Sequence, residues 1–342
     1  MIDWITAKIP CVHVPIPAGK TMRIDAAGEI EYTVPHRTQV KGSHDASISI
    51  KSQGNYCEGK LDVLHVSGNF AKFLQGHNII GSRNINAQIW QGLKLLCTNL
   101  SLSGIHLSDS IDWDAVHSGN IEIDRIDINS MYSLPSNSDV NSWLRAAEYS
   151  SRTRHGRPVN SKGTVYWGKN SRRWSIKAYN KAEEIKASGD HKLQQYEIFE
   201  PLREFAQGKL RLELTLRQLE LRTLGIHTAS QLNETTVNKL FTSYMGKLTM
   251  TQKVLLNDVE SLDVPRAALS TYHMWKMGMV PFDMLPKATF YRQRKQLLEF
   301  GIDISNPSPQ SNSNVVPLIR VLEAEPVSNP DWAYNLRLIA AA

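Results

Sequence analysis

The segment Trp174-Ser-Ile-Lys-Ala-Tyr-Asn-Lys-Ala-Glu-Glu184 sets one tyrosine, Tyr179, between two lysines, Lys177 and Lys181, at the end of an alternating stretch. A tyrosine hydroxyl that attacks a phosphodiester stores the energy of that bond as a phosphotyrosine, so a nicked strand can be resealed without ATP. A free phenol has a pKa of ~10 and needs a nearby cation or metal ion to become a nucleophile. A divalent ion also neutralises charge growing on the phosphate oxygens. Tyr179 is the candidate nucleophile and Lys181 the cation that lowers its pKa. The competing reading is a packing tyrosine on a half-buried strand, with its hydroxyl in water.

Magnesium or manganese takes carboxylate oxygens. Asp127 in Arg125-Ile126-Asp127 and Glu213 in Arg211-Leu212-Glu213 are the candidate ligands, each with an arginine two residues earlier on the same strand face. A surface ion pair is the alternative for both. Glu122 and Asp124 alternate to the face opposite Asp127 and rank behind it. The polar, glycine-bearing loop Lys72-Phe-Leu-Gln-Gly-His-Asn-Ile-Ile-Gly81 offers His77, either to position a phosphate or move a proton, or as a structural hydrogen-bonder. No two histidines are separated by one apolar residue, the metal signature of many tyrosine nucleases; Leu64-His65-Val66 holds a single one.

Basic residues gather in two loop-like stretches, Arg152 to Arg157 and Lys169 to Arg173, with Arg152, Arg154, Lys169, Arg172 and Arg173 as candidate DNA contacts and Trp167 and Trp174 nearby. That combination suits phosphate contacts and stacking on an unpaired strand; a solvated loop is the bland alternative. Arg125 and Arg211 are further candidate DNA contacts. Beyond Pro286, Lys287, Arg292, Arg294 and Lys295 lie outside an apolar face of Phe290, Leu297 and Leu298. A recognition helix in a major groove has that layout, and so does an ordinary basic surface helix.

The elements that must hold these residues are legible from periodicity. Short strands are expected over Ile2 to Ile9, Glu29 to Val34, Ala46 to Ser52 and Leu61 to Val66, and helices over Ile85 to Leu96 and, after Asp139 as N-cap, Val140 to Tyr149. Three alternating strands, Ile121 to Ile128, Trp174 to Tyr179 and Leu210 to Leu216, carry the chemistry. In the last, four leucines point one way and Arg211, Glu213, Thr215 and Arg217 the other. A single sheet is thus expected to gather tyrosine, acids and bases on one open face. After about Gly225 the pattern turns helical, with Val237 to Leu248, Lys253 to Leu262 and Arg266 to Met277 as candidates and a helix from Pro286 ended by Gly301. Pro307 to Ser313 reads as a linker. The expected fold is α+β: a largely antiparallel sheet with covering helices over 1–224, then a helical domain, 225–342, with a helix-turn-helix-like end.

Composition sets looser bounds. The 342 residues are 41% hydrophobic and 21% charged, an ordinary globular balance, and the formal charge of +6 leans toward polyanionic partners. Three scattered cysteines, Cys11, Cys57 and Cys97, indicate neither a zinc knuckle nor a disulfide framework, as expected in a reducing cytosol. No leader pattern opens the chain and no apolar run approaches a membrane span, so a soluble protein that is not exported is expected.

Taken together, these segments resemble the gene II replication initiators of filamentous phages. The likeness begins at Met1-Ile2-Asp3 and includes the loop around His77, Arg125-Ile-Asp127, Thr164-Val-Tyr-Trp167, Ala178-Tyr179 with Lys181, and Leu202-Arg-Glu-Phe-Ala-Gln-Gly208 running into Arg211-Leu-Glu213. It ends with Asn314-Val-Val-Pro-Leu-Ile-Arg320 and Pro330-Asp-Trp332, spanning essentially the whole chain in order. The resemblance implies a nickase that uses Mg²⁺ (or Mn²⁺) on double-stranded phage origin DNA and later cleaves and circularises the displaced single strand. It further implies a host bacterial cytoplasm, a host replication helicase and polymerase as partners, and oligomers on DNA. The wider group is similar to plasmid rolling-circle initiators whose active sheet joins a tyrosine to carboxylates without a two-histidine motif. The chain is shorter than familiar members in its helical half, so origin architecture is not carried over. Two further readings stay open: a metal-dependent nuclease that uses water and leaves free ends, and a non-enzymatic origin-binding or repressor protein.

Overall fold

The computed structural model of the chain describes all residues except 43, 45, 188–192, 251–263, 301, 306–324 and 341–342. The expected helix Lys253 to Leu262, the stop at Gly301, the linker Pro307 to Ser313 and the motif Asn314 to Arg320 lie outside the described residues. In chain order the first elements are β1 (Ile2–His13), β2 (Lys20–Ile24), β3 (Ile30–Pro35), β4 (Thr38–Lys41), β5 (Ser47–Cys57), β6 (Lys60–Asn69), α1 (Phe70–Gln75), α2 (Ile85–Ser101), α3 (Trp113–Ser118) and β7 (Glu122–Ser133). Next come α4 (Asn137–Ser150), β8 (Ser151–Arg152), β9 (Val159–Ser161), β10 (Thr164–Trp167), β11 (Trp174–Asn180), α5 (Lys181–Glu184), α6 (Glu200–Phe205) and β12 (Lys209–Arg217). The chain closes with α7 (Gln218–Thr223), α8 (Glu234–Met245), β13 (Thr249–Met250), α9 (Arg266–Lys276), α10 (Pro281–Met284), α11 (Lys287–Leu298) and α12 (Asp331–Asn335). The fold is α+β with antiparallel sheet. Among the described residues no helix is long and apolar enough to cross a membrane.

Two compact units divide the chain: Met1–Ile128, Thr215–Leu240 and Asn329–Ala342 form the first, Asn129–Leu214 and Phe241–Ser328 the second. The expected division near residue 224 is one of sequence. The compact units are cut differently, because β7 and β12 each contribute residues to both.

In the first unit the sheet runs β4-β5-β6-β1-β7 with antiparallel neighbours. Period-two alternation buries Ile5, Ala7 and Ile9 of β1 with Ile48, Ile50, Leu64 and Val66 from its neighbours, and turns Trp4, Thr6 and Lys8 to the other face. On the buried side lie α1 and α2. Asn69 caps α1 by accepting from the Lys72 N–H, and Gly76 ends it at φ 81°, a left-handed position that suits glycine. Helix α2 buries Ile85, Ile89, Leu93 and Leu96 as its spacing predicts. At Gly92 a Cβ would run into the Phe70 ring, so only glycine lets α2 come this close to α1.

In the second unit the order is β7-β12-β11-β10-β9. Leu210, Leu212 and Leu214 are fully buried on one side of β12. Helix α4 packs against β10 and β11. Its cap is Ser136, which accepts from the Asp139 N–H, so the helix starts a turn earlier than expected and Asp139 sits in its first turn. Helices α9 and α11 enclose a separate core of Ala268, Tyr272, Trp275, Phe290, Leu297, Ile302 and Ile304.

Candidate functional site

Strand β11 carries Tyr179 two residues after Lys177 and ends at once in α5, whose N-cap Asn180 accepts from the Ala182 and Glu183 N–H groups. That switch from strand to helix places Lys177 and Lys181 on either side of the tyrosine, with their Nζ atoms 5.6 and 5.9 Å from the ring centroid. Glu213 on β12 joins them. The Tyr179 hydroxyl donates to Glu213 Oε2 at 3.3 Å, and Lys177 Nζ pairs with Glu213 Oε1 at 2.7 Å. Lys181 is fully buried and pairs with Glu184 at 2.6 Å. Tyr179 and Glu213 are 6% and 2% exposed, so this phenol, carboxylate and ammonium meet where water screens them little. Such a group offers a proton acceptor for the phenol and a cation to steady the phenolate.

Both oxygens of Glu213 are thus engaged. Among the described residues no three His, Cys, Asp or Glu side chains are placed to share a metal ion. Mg²⁺, however, is commonly held by one or two carboxylates plus substrate phosphate and water, and Glu213 has the donor chemistry for that.

Asp127, the other expected ligand, belongs to the first unit, where Arg125 grips both its oxygens at 2.8 and 2.6 Å. The Arg125 guanidinium also lies over the Trp4 ring, 5.2 Å from its centroid. The expectation that Glu122 lies opposite Asp127 is overturned. Between Thr6 and Ala7 the register shifts: Thr6 faces Arg125 but Ala7 faces Ile123 and Lys8 faces Glu122. The extra residue of this bulge restores Glu122 to the Arg125 face. There Lys8 contacts Glu122 at 2.8 Å and Asp124 at 3.6 Å, and His65 stands between Arg37 (3.0 Å) and Asp124 (3.7 Å). The Lys8 hydrogen bond, opposed by burial and helped by Arg222, holds Glu122 below its ordinary pKa. Burial alone would raise Asp124, but His65, Lys8 and Gln218 together hold it low. Burial and then repulsion from Arg125 lower the Arg217 guanidinium.

His77 is 1% exposed, and its Nε2 bonds the Leu338 carbonyl at 2.8 Å. Gln75 accepts from the Ala340 N–H at 2.9 Å, and Asn329 donates to the Gly81 carbonyl at 3.1 Å. The loop from Lys72 to Gly81 therefore clasps a distant segment of its own chain. Of the expected DNA contacts, Arg152, Arg154, Lys169, Arg172, Lys287, Arg292 and Lys295 are exposed and Arg173 is half-buried. Arg211 is fully buried, and Arg294 is held by Asp303 at 2.7 and 3.1 Å. Trp167 and Trp174 are fully buried, so neither presents a face for a base. A signal that sequence reasoning passed over lies in the same region: between Glu148 and Glu183 there are nine lysines and arginines and no acid.

Residues 1–235 match the family model of the N-terminal part of the gene II replication-associated protein, and residues 256–338 the model of its C-terminal part. The gene II replication-associated protein of Enterobacteria phage I2-2 is 44% identical over 98% of this chain and 97% of that relative. A looser structural likeness, TM-score 0.33 and 12% identity over 76% of this chain and 89% of the other, is to a rolling-circle replication initiator protein from Geobacillus stearothermophilus.

Proposed function

The chain belongs to the phage gene II replication-associated protein family, and from that premise we propose that it nicks one strand of a phage replicative-form origin through Tyr179 and later rejoins strand ends. The observation that carries the reading is the Tyr179 hydroxyl hydrogen-bonded to the buried, lysine-paired Glu213. In the first step the Tyr179 oxygen attacks the scissile phosphorus and passes its proton to Glu213. The new Tyr–O–P bond forms as the P–O3′ bond breaks, the leaving 3′ oxygen takes a proton from water, and Glu213 returns the phenol's proton to solvent. Lys177 and Lys181 favour the phenolate on its way to attack. In the return step a 3′ hydroxyl attacks the phosphotyrosine, which restores the diester and the phenol without ATP.

Mg²⁺ or Mn²⁺ belongs to the proposal with Glu213 as a ligand, and would neutralise the phosphate oxygens. The exposed cations of the acid-free stretch and of α11 would hold origin DNA and the displaced strand by their phosphates. The setting is a host bacterial cytoplasm, with the host helicase and polymerase extending the nick.

The test is supercoiled replicative-form DNA with Mg²⁺ and either wild type or Tyr179→Phe. Wild type is expected to yield open circles and, on denaturing gels, DNA bound to protein at a 5′ end. Tyr179→Phe is expected to bind the origin yet give neither product. Free ends from wild type, or undiminished nicking by the variant, would point to water as the nucleophile and end this reading.

A further inference from the structure

The two tryptophans expected to stack on unpaired bases are buried, but a second pair is not. Trp90 on α2 and Trp113 at the start of α3 are half-buried and line one cavity of about 640 Å³ in the first unit. That volume is in the range of small-ligand sites. Along α2 the cavity takes Trp90, Lys94, Cys97, Thr98 and Ser101, a spacing that puts them on one helix face. The Trp113 Nε1–H donates to the Ser108 carbonyl at 2.8 Å, which fixes the ring before any ligand arrives. The Lys94 ammonium rests 3.6 Å from the Trp90 centroid while staying exposed to solvent. Below them lie Leu107 and Cys97, whose thiol burial pushes up to about 11, a neutral and apolar floor.

We infer that this cavity takes an unpaired base of single-stranded DNA, with Lys94 on the adjoining phosphate. An indole surface suits every base, because every base has a π-face, and the Lys94 ammonium, which rests on the Trp90 ring in the free protein, moves to the backbone phosphate as a base takes its place. Asp109, exposed and also lining the cavity, is an acceptor for an exocyclic amino group, so oligo-dC is expected to bind more tightly than oligo-dT. The inference rests on the strand-nicking reading for its source of unpaired strand, and it adds a hold on that strand in the unit that does not contain Tyr179.

The experiment uses the full chain and three fluorescent 20-mers: oligo-dC, oligo-dT and an abasic strand with the same phosphates. Binding is followed by anisotropy and by quenching of tryptophan emission. Wild type is expected to bind the base-bearing strands about tenfold more tightly than the abasic one. Trp90→Leu is expected to erase that difference. Lys94→Glu, on an exposed position where folding is not at stake, is expected to weaken all three. Both variants should still nick supercoiled origin DNA. Equal binding of abasic and base-bearing strands by wild type, or full base preference in Trp90→Leu, overturns the pocket. Loss of nicking by wild type would instead sink the catalytic reading, since the binding arm is read independently.

Discussion

At the scale of single residues, Glu213 has two partners that want opposite things from it. Lys177 favours the carboxylate, and the phenol of Tyr179 favours a base able to take its proton. Replacing the acid by its amide keeps the shape and removes both functions. Glu213→Gln is expected to slow single-turnover nicking about a hundredfold or more while origin binding stays unchanged. Melting curves of the variant separate this from misfolding, since Lys177, with 32% of its side chain in solvent, loses a pairing worth about 1 kcal/mol. Undiminished nicking in a folded Glu213→Gln would remove the acid from the mechanism. Much of this group was legible in sequence, because period two puts Lys177 with Tyr179 and Glu213 with Arg211. Which lysine meets Glu213 was not, since it depends on where β11 turns into α5. Nor was the face of Glu122, because alternation assumes an unbroken ladder and the shift at Thr6 and Ala7 breaks it.

At the scale of elements, α11 divides its basic residues between two tasks. Arg294 reaches back to Asp303, which is also bonded by Arg145 of α4 and by Ser305, while Lys287, Arg292 and Lys295 face solvent. Burial alone would raise the Asp303 carboxyl, but these partners overcome it and leave it far below its ordinary 3.8. A depressed carboxylate stabilises the folded state above its unfolded pKa, and that contribution fades as pH falls from about 4 toward the folded value. Wild type should therefore lose melting temperature between pH 5 and pH 2 more steeply than Asp303→Asn, which starts lower at neutral pH. Parallel pH curves would contradict this. Arg294→Ala should weaken folding, whereas neutralising Lys287, Arg292 and Lys295 should weaken DNA binding and flatten its salt dependence by about 0.9 per lost phosphate contact. Helical spacing announced α11 and its apolar face, but the partner of Arg294 comes from beyond the helix and left no local signal.

At the scale of the whole molecule, the first unit is made from segments far apart in the chain. The loop around His77 has the composition of a binding loop because it does bind, to the backbone of Leu338 and Ala340. Ending the chain at Ser328 removes these bonds with buried Ala333 and Leu338. Stability should fall by about 3 kcal/mol or more, read by denaturant melts, with Asn329–Ala342 supplied as a peptide restoring part of it. An unchanged melt would make the clasp incidental. No periodicity in the sequence announces such closure, which pairs residues some 260 positions apart. The closure also sets the order of events at birth. While the ribosome is still translating the second unit, Gln75 Oε1 and His77 Nε2 have yet to meet the backbone of Ala340 and Leu338, which leaves the exit tunnel only after that unit has been made. A message cut short before Asn329 yields a chain that has every catalytic residue proposed here and an unfinished first unit, a natural target for proteases, so the enzyme is complete only once Leu338 and Ala340 have been added.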